Sequence, residues 1–93
     1  MKVFPTSYEV AIYAAIKAGH HDGASITRIT GVPGGTIYPV LTRLETQGVL
    51  VSHWEEGDVR ALGRPLMKLY RLVAPLPGLD RLLAVLVYAG LTS

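Results

Sequence analysis

The strongest local constraint in this chain is a proline set inside an apolar helical stripe. Ile37, Val40, Leu41 and Leu44 recur at i, i+3, i+4 and i+7, the spacing of one buried helix face. Pro39 lies among them. In a helix interior proline loses a hydrogen bond and clashes with the preceding turn, at about 3 kcal/mol, but near the first turn it is tolerated. The helix must therefore begin close to Gly34 or Gly35, and Gly48 stops it, so the expected span is about Gly35 to Gln47. Just before it, Gly31-Val32-Pro33-Gly34 reads as a turn. Ala24 to Thr30 reads as a shorter helix with Ile26 and Ile29 on one face, and Asp22 is placed to cap it. Two short helices joined by a tight glycine-containing turn make a helix-turn-helix.

The flanking segments extend this unit. Thr6-Ser7-Tyr8-Glu9 fits a capping box, and the Ala/Ile-rich helix behind it ends at Gly19. Val49 to Trp54 is β-rich, Glu55 to Pro65 reads as an eleven-residue loop, and Leu66 to Val73 reads as the returning strand of a hairpin. After Pro75 and Pro77, Leu79, Leu82, Leu83, Leu86 and Gly90 share one face of a last helix. The expected fold is mainly α with a β-hairpin (α+β), a winged helix-turn-helix with a C-terminal dimerisation helix. Residues 1–76 form the DNA-binding part and 77–93 the dimerisation helix of a single domain.

The outward face of the third helix carries the chemistry. On a wheel of about 100° per residue, Val40, Leu41 and Leu44 lie within about 60° of Ile37, and Gly35, Pro39, Thr42 and Thr46 lie opposite. Tyr38 flanks that face on one side, Thr36 and Arg43 on the other, and Glu45 sits on the side of Tyr38. Such a face is small, hydroxylated and almost free of acid, as a helix entering the major groove requires. Arg43 can bond guanine O6 and N7, the hydroxyls of Thr36, Tyr38 and Thr42 can meet phosphate or bases, and Pro39 can touch a thymine methyl.

These residues resemble a known family. Gly35-Thr36-Ile37-Tyr38-Pro39-Val40-Leu41-Thr42-Arg43-Leu44-Glu45, then Gly48, is similar to the recognition-helix motif of PadR-like transcriptional regulators. Thr30-Gly31-Val32-Pro33 resembles the turn before it, and Trp54-Glu55, Gly63-Arg64-Pro65 and Tyr70-Arg71-Leu72 resemble the wing. The likeness runs from about Gly23 to Leu72; Val73 stands where the family carries threonine. It implies a dimeric DNA-binding regulator, usually a repressor, that in some members responds to a small-molecule effector.

Net charge is only +2, low for a nucleic-acid binder. The cations are better placed than the total indicates. Arg60, Arg64 and Lys68 fall on the hairpin, where a wing would meet phosphate, with Arg64 the stronger candidate. A single copy with a handful of phosphate contacts binds weakly at physiological salt, so two copies on a palindrome are expected, their recognition helices about 34 Å apart. The excess of apolar residues, 49% of the chain, points the same way. The last helix is apolar almost all round and needs a partner, with Tyr8, Ile12, Leu79, Leu82, Leu83, Leu86 and Val87 as the expected interface.

Other classes recede. There is no cysteine, hence no disulfide scaffold. His20, His21 and His53 do not form a ligand set, and no metal or cofactor is expected. No acid–base pair or nucleophile constellation appears, so an enzyme is not expected. The longest apolar stretch, Leu82 to Leu91, is too short for a membrane span, and no signal segment is seen, so the expected compartment is the cytoplasm. Trp54 is expected in the core; were there an effector pocket, Trp54 and Tyr13 would be its candidates. Two other functions compete: a winged helix that binds protein, and a small architectural or recombination-accessory DNA binder of a mobile element.

Overall fold

Local capping sets where the helices begin. A computed structural model describes residues 4–92, and the side chains of residues 4–90. In α1 (Ser7–Lys17) the capping box is complete: Glu9 N–H donates to Thr6 Oγ1 at 3.2 Å and Thr6 N–H donates to Glu9 Oε1 at 3.0 Å. In α2 (Gly23–Thr30) Asp22 Oδ2 accepts the Ser25 N–H at 2.9 Å, and Gly31 closes the helix in the left-handed region at φ 72°. α3 (Gly34–Thr46) follows Pro33 with no side-chain cap. Its start at Gly34 puts Pro39 in the second turn, so the missing N–H falls early in the helix.

β1 (Leu50–Trp54) and β2 (Lys68–Leu72) pair antiparallel, from Leu50 opposite Leu72 to Trp54 opposite Lys68. The hairpin is fastened to the α1–α2 loop. Tyr70 N–H donates to the His21 carbonyl at 2.7 Å, His21 Nδ1 donates to the Tyr70 carbonyl at 3.0 Å, and Asp22 bridges Leu69. The core gathers one face of each of the first three helices, with Ile12, Ile16, Ile26, Ile37, Leu41 and Leu44, over Leu50 and Tyr70 of the hairpin and Leu76 beyond it. The fold is α+β, with five helices and a two-stranded hairpin among the described residues; four of the helices and both strands come in the order the sequence predicts.

The hairpin loop differs from expectation. It is not irregular throughout but holds a one-turn helix, α4 (Val59–Leu62), whose start is capped by Asp58 Oδ1 on Arg60 N–H at 2.9 Å and whose end is Gly63 at φ 70°. The spacing of Asp58 and Gly63 carries that signal.

α5 (Leu79–Thr92) projects from the body. Leu79 still packs against the core, but Leu83, Val85, Leu86 and Val87 are exposed. The longest dimension is 57 Å against 23 and 21 Å, and the radius of gyration is 15.4 Å, where a compact chain of this length has about 12 Å. The accessible surface, 6181 Å², exceeds by roughly 900 Å² what a compact monomer of this mass exposes. Within the expected interface set, Ile12 is a correction: it has no exposure and belongs to the core of one chain, because it lies on the side of α1 that meets α2 and α3. Leu79 is in part another, since it covers the same core. Ile29, placed by its spacing on one face with Ile26, is 58% exposed while Ile26 is buried, since the short α2 turns only one edge inward.

No helix among the described residues is long and apolar enough to cross a membrane.

Candidate nucleic-acid interface

The turn between α2 and α3 leaves one side of α3 open. Ile37, Val40, Leu41 and Leu44 are buried, while Gly34, Gly35, Pro39, Thr42, Arg43 and Thr46 are exposed and Thr36 is half-buried. Glu45 is drawn away from this face, because its carboxylate accepts the Ser52 hydroxyl of β1. The exposed face of α3 therefore carries no acid.

Its two flanks are held by different neighbours. On one side the Tyr38 ring lies against the start of α2, so close that a Cβ on Gly23 would sit 2.5 Å from the phenol oxygen. Tyr38 nevertheless keeps about half its surface exposed. On the other side Arg43 Nη1 lies 3.9 Å from Glu9 Oε1 of α1.

The first turn of α3 is unusual. Gly34 and Gly35 have no positive φ, and a Cβ at either would meet nothing within 4 Å. Neither backbone conformation nor packing within the chain requires glycine there. Thr36 and Ile37 N–H both turn to the Pro33 carbonyl, and the helix start has no side-chain cap, so its positive dipole end faces solvent.

Between α3 and the hairpin runs a cleft of about 520 Å³, lined by residues that include Tyr38, Thr42, Trp54, Met67, Lys68 and Tyr70. Three of the residues predicted to contact DNA, Tyr38, Thr42 and Lys68, are thus brought together. Trp54 is a correction to the expected core position: it is 63% exposed on the cleft wall, across the hairpin from Lys68. Lys68 Nζ stands over the Tyr70 ring, 6.0 Å from its centre. Burial raises the Tyr70 phenol above its ordinary value. Tyr13, the other suggested pocket residue, lies elsewhere, packed on the core with Lys17 over its ring.

Arg64 corrects the wing assignment. Its guanidinium is taken by Glu55, with Nη1 donating to Oε1 at 2.6 Å and Nη2 to Oε2 at 2.9 Å. Sequence order conceals this, because the two residues lie nine positions apart and only the folding-back of α4 joins them. Arg60 is exposed on α4. His20 and His21, discounted as ligands, make structural hydrogen bonds to Ser25 Oγ and the Tyr70 carbonyl. The signal that sequence reading missed was Glu9, a capping residue whose reach to α3 has no local signature.

The chain matches no protein-family model and no curated protein. Its fold is similar to that of Bordetella bronchiseptica BpsR, whose DNA binding is regulated by 6-hydroxynicotinic acid: the TM-score is 0.63 at 17% identity, over 94% of this chain and 60% of that one. The chain thus spans about three fifths of the BpsR chain. At this identity the likeness is one of fold.

Proposed function

We propose that this chain is a sequence-specific DNA-binding transcriptional regulator, without enzymatic activity, whose α3 enters the major groove. One observation carries the reading: α3 presents an exposed, acid-free face of hydroxyls, Pro39 and Arg43, opened by two glycines that the fold itself does not require. A surface that must meet phosphate closely gains from a missing side chain and from first-turn N–H groups aimed outward. Thr36, Tyr38, Pro39, Thr42 and Arg43 are the contact residues, and Lys68 and Arg60 add phosphate contacts from the hairpin. The motif likeness to PadR-like regulators supports membership of that group and a repressor role. The fold shared with a protein whose DNA binding is regulated supports the same class.

The working form is a homodimer on a palindromic site. Its support is α5, whose exposed Leu83, Leu86 and Val87 nothing among the described residues covers, and an excess surface close to the roughly 800 Å² that one partner contributes to a stable interface. The groove between α1 and α2, lined by Ala11, Ala14, Ala15, Ala18 and Ile29 with His20 and Thr30 among them, is walled mainly by small apolar side chains, and receives the partner's α5. By analogy with BpsR, a small molecule regulates binding, and the cleft beside Trp54 is the place where it would compete with DNA.

Fluorescence anisotropy against duplexes selected from a random pool by the protein tests the function. Specific binding that weakens about tenfold or more in Tyr38→Ala and Arg43→Ala is expected. Absence of binding at low salt, or variants that bind like the wild type, would remove it.

A further inference from the structure

Glu9 does more than cap a helix. A capping box asks only that the glutamate reach back to the N-cap N–H, yet Glu9 is 2% exposed and is the buried charged residue among the described ones. Burying a carboxylate is unfavourable unless other groups meet its charge. One group that does so is Arg43, the cation on the open flank of α3, whose Nη1 lies 3.9 Å from the same Oε1 that accepts the Thr6 N–H. The carboxylate is anchored to the α1 backbone; the guanidinium remains 45% exposed. The anchored partner therefore restrains the exposed one, and not the reverse.

We propose that Glu9 is a positioning residue for DNA reading: its charge holds the Arg43 guanidinium at the edge of α3, directed to a base, and keeps it from swinging onto the nearest phosphate. The inference rests on the reading of α3 as the DNA-reading helix. It makes α1 part of the specificity apparatus although α1 carries none of the contact residues. An arginine released from its carboxylate becomes one more phosphate contact, which raises affinity for any duplex and lowers discrimination between duplexes.

The test compares wild type, Glu9→Gln, Arg43→Ala and the double variant on two duplexes: one selected from a random pool by the wild-type protein, and a scrambled duplex of the same composition. Gln at 9 still accepts the Thr6 N–H but carries no charge. Glu9→Gln is expected to bind the scrambled duplex several-fold more tightly, with a salt slope steeper by about one phosphate contact, and to lose about tenfold in discrimination. In the Arg43→Ala background the same change should do nothing to either quantity. Glu9→Asp, which keeps the cap and the charge but draws it back from Arg43, should steepen the slope to a smaller degree; it serves as the readout if Glu9→Gln melts below the working temperature. An unchanged slope and discrimination in a DNA-binding protein, or an equal effect of Glu9→Gln with and without Arg43, overturns the inference alone. A wild type that binds no duplex overturns the functional reading and this inference with it.

Discussion

Arg64 and Glu55 meet as fork on fork at the loop end of the hairpin, two parallel hydrogen bonds of 2.6 and 2.9 Å joining residues on either side of α4. Glu55 also accepts the Met67 N–H at 3.2 Å, and Arg64 donates to the Pro65 carbonyl at 3.1 Å. The pair closes the eleven-residue excursion into a short loop with fixed ends. An arginine expected to seek phosphate thus gives the hairpin loop its shape, and Lys68 and Arg60 are the hairpin cations that the proposed function retains as phosphate contacts.

This pair makes the hairpin acid-sensitive in a defined window. The Arg64 hydrogen bonds first, and the Met67 N–H second, hold the Glu55 carboxyl at about 2 against an ordinary 4.5. A carboxyl depressed in the folded state stabilises it fully above the ordinary value, and that contribution disappears as pH falls toward 2. Carboxyl NMR should place the Glu55 titration near pH 2 in the wild type and move it up toward 4.5 in Arg64→Ala, where the Met67 N–H alone still holds it down, with the fluorescence of Trp54 changing in the same range. A midpoint that ignores Arg64→Ala would refute the clamp.

Most of the fold was legible because each element carries its own signal. The Thr6–Glu9 box, the stripe of Ile37 to Leu44 and the breakers Gly31 and Gly48 act within a turn or two of themselves, and sequence reading sees that distance well. Contacts set by tertiary closure were not legible: Glu55 with Arg64, Tyr38 over Gly23, Arg43 beside Glu9. Trp54 was misassigned for a related reason. Strand alternation places it on the same face as Leu50 and Ser52, but the core ends before it, so that face opens onto the cleft. In the candidate site the outward face of α3 is exposed as its periodicity predicts, with Thr36 half-buried, and the reading went astray on the hairpin, where Glu55 claims Arg64.

The two glycines at the head of α3, which neither backbone conformation nor packing requires, allow the proposed binding role to be tested apart from folding. Replacing glycine by alanine at a helical position with ordinary φ and open space stabilises a protein by about 0.5–1 kcal/mol, less in the first turn. Gly34→Ala and Gly35→Ala should each raise the melting temperature slightly and weaken DNA binding about tenfold, as the new methyl stands where phosphate must approach. Thermal melts and anisotropy on the same samples check both halves. Variants that are more stable and bind as well as the wild type would leave the glycines unexplained.

Gly23 behaves in the opposite way. Its Cβ would press on the outer atoms of the half-exposed Tyr38 ring at 2.5–2.8 Å, so the ring must leave its place on α2, at a fraction of the roughly 1–3 kcal/mol that crowding costs in a closed core. Gly23→Ala should therefore destabilise the chain and turn the Tyr38 ring outward. Adding Tyr38→Ala should restore stability, since the obstructing ring is gone and alanine is the better helix former. Denaturant melts of the single and double variants measure this; equal losses with and without Tyr38 would place the cause elsewhere.

The proposed dimer can be tested without disturbing the α3 face, because the chain has no cysteine and any introduced thiol is unique. Sedimentation should give about twice 10.0 kDa, and Leu86→Glu, which sets a charge in the middle of an apolar face, should return the protein to single chains. Loss of the second copy also halves the phosphate contacts on one duplex, so the salt slope of the Leu86→Glu variant should fall by about half. The α1–α2 groove is probed by mixing Ala14→Cys with Val87→Cys under oxidising conditions. If the partner's α5 lies in that groove, the mixed disulfide dominates; if two α5 helices pair with each other, Val87→Cys alone forms the bridged dimer and Ala14→Cys remains a thiol. A single chain in sedimentation would defeat both arrangements, because a palindrome read by one α3 at a time gains nothing from its second half-site.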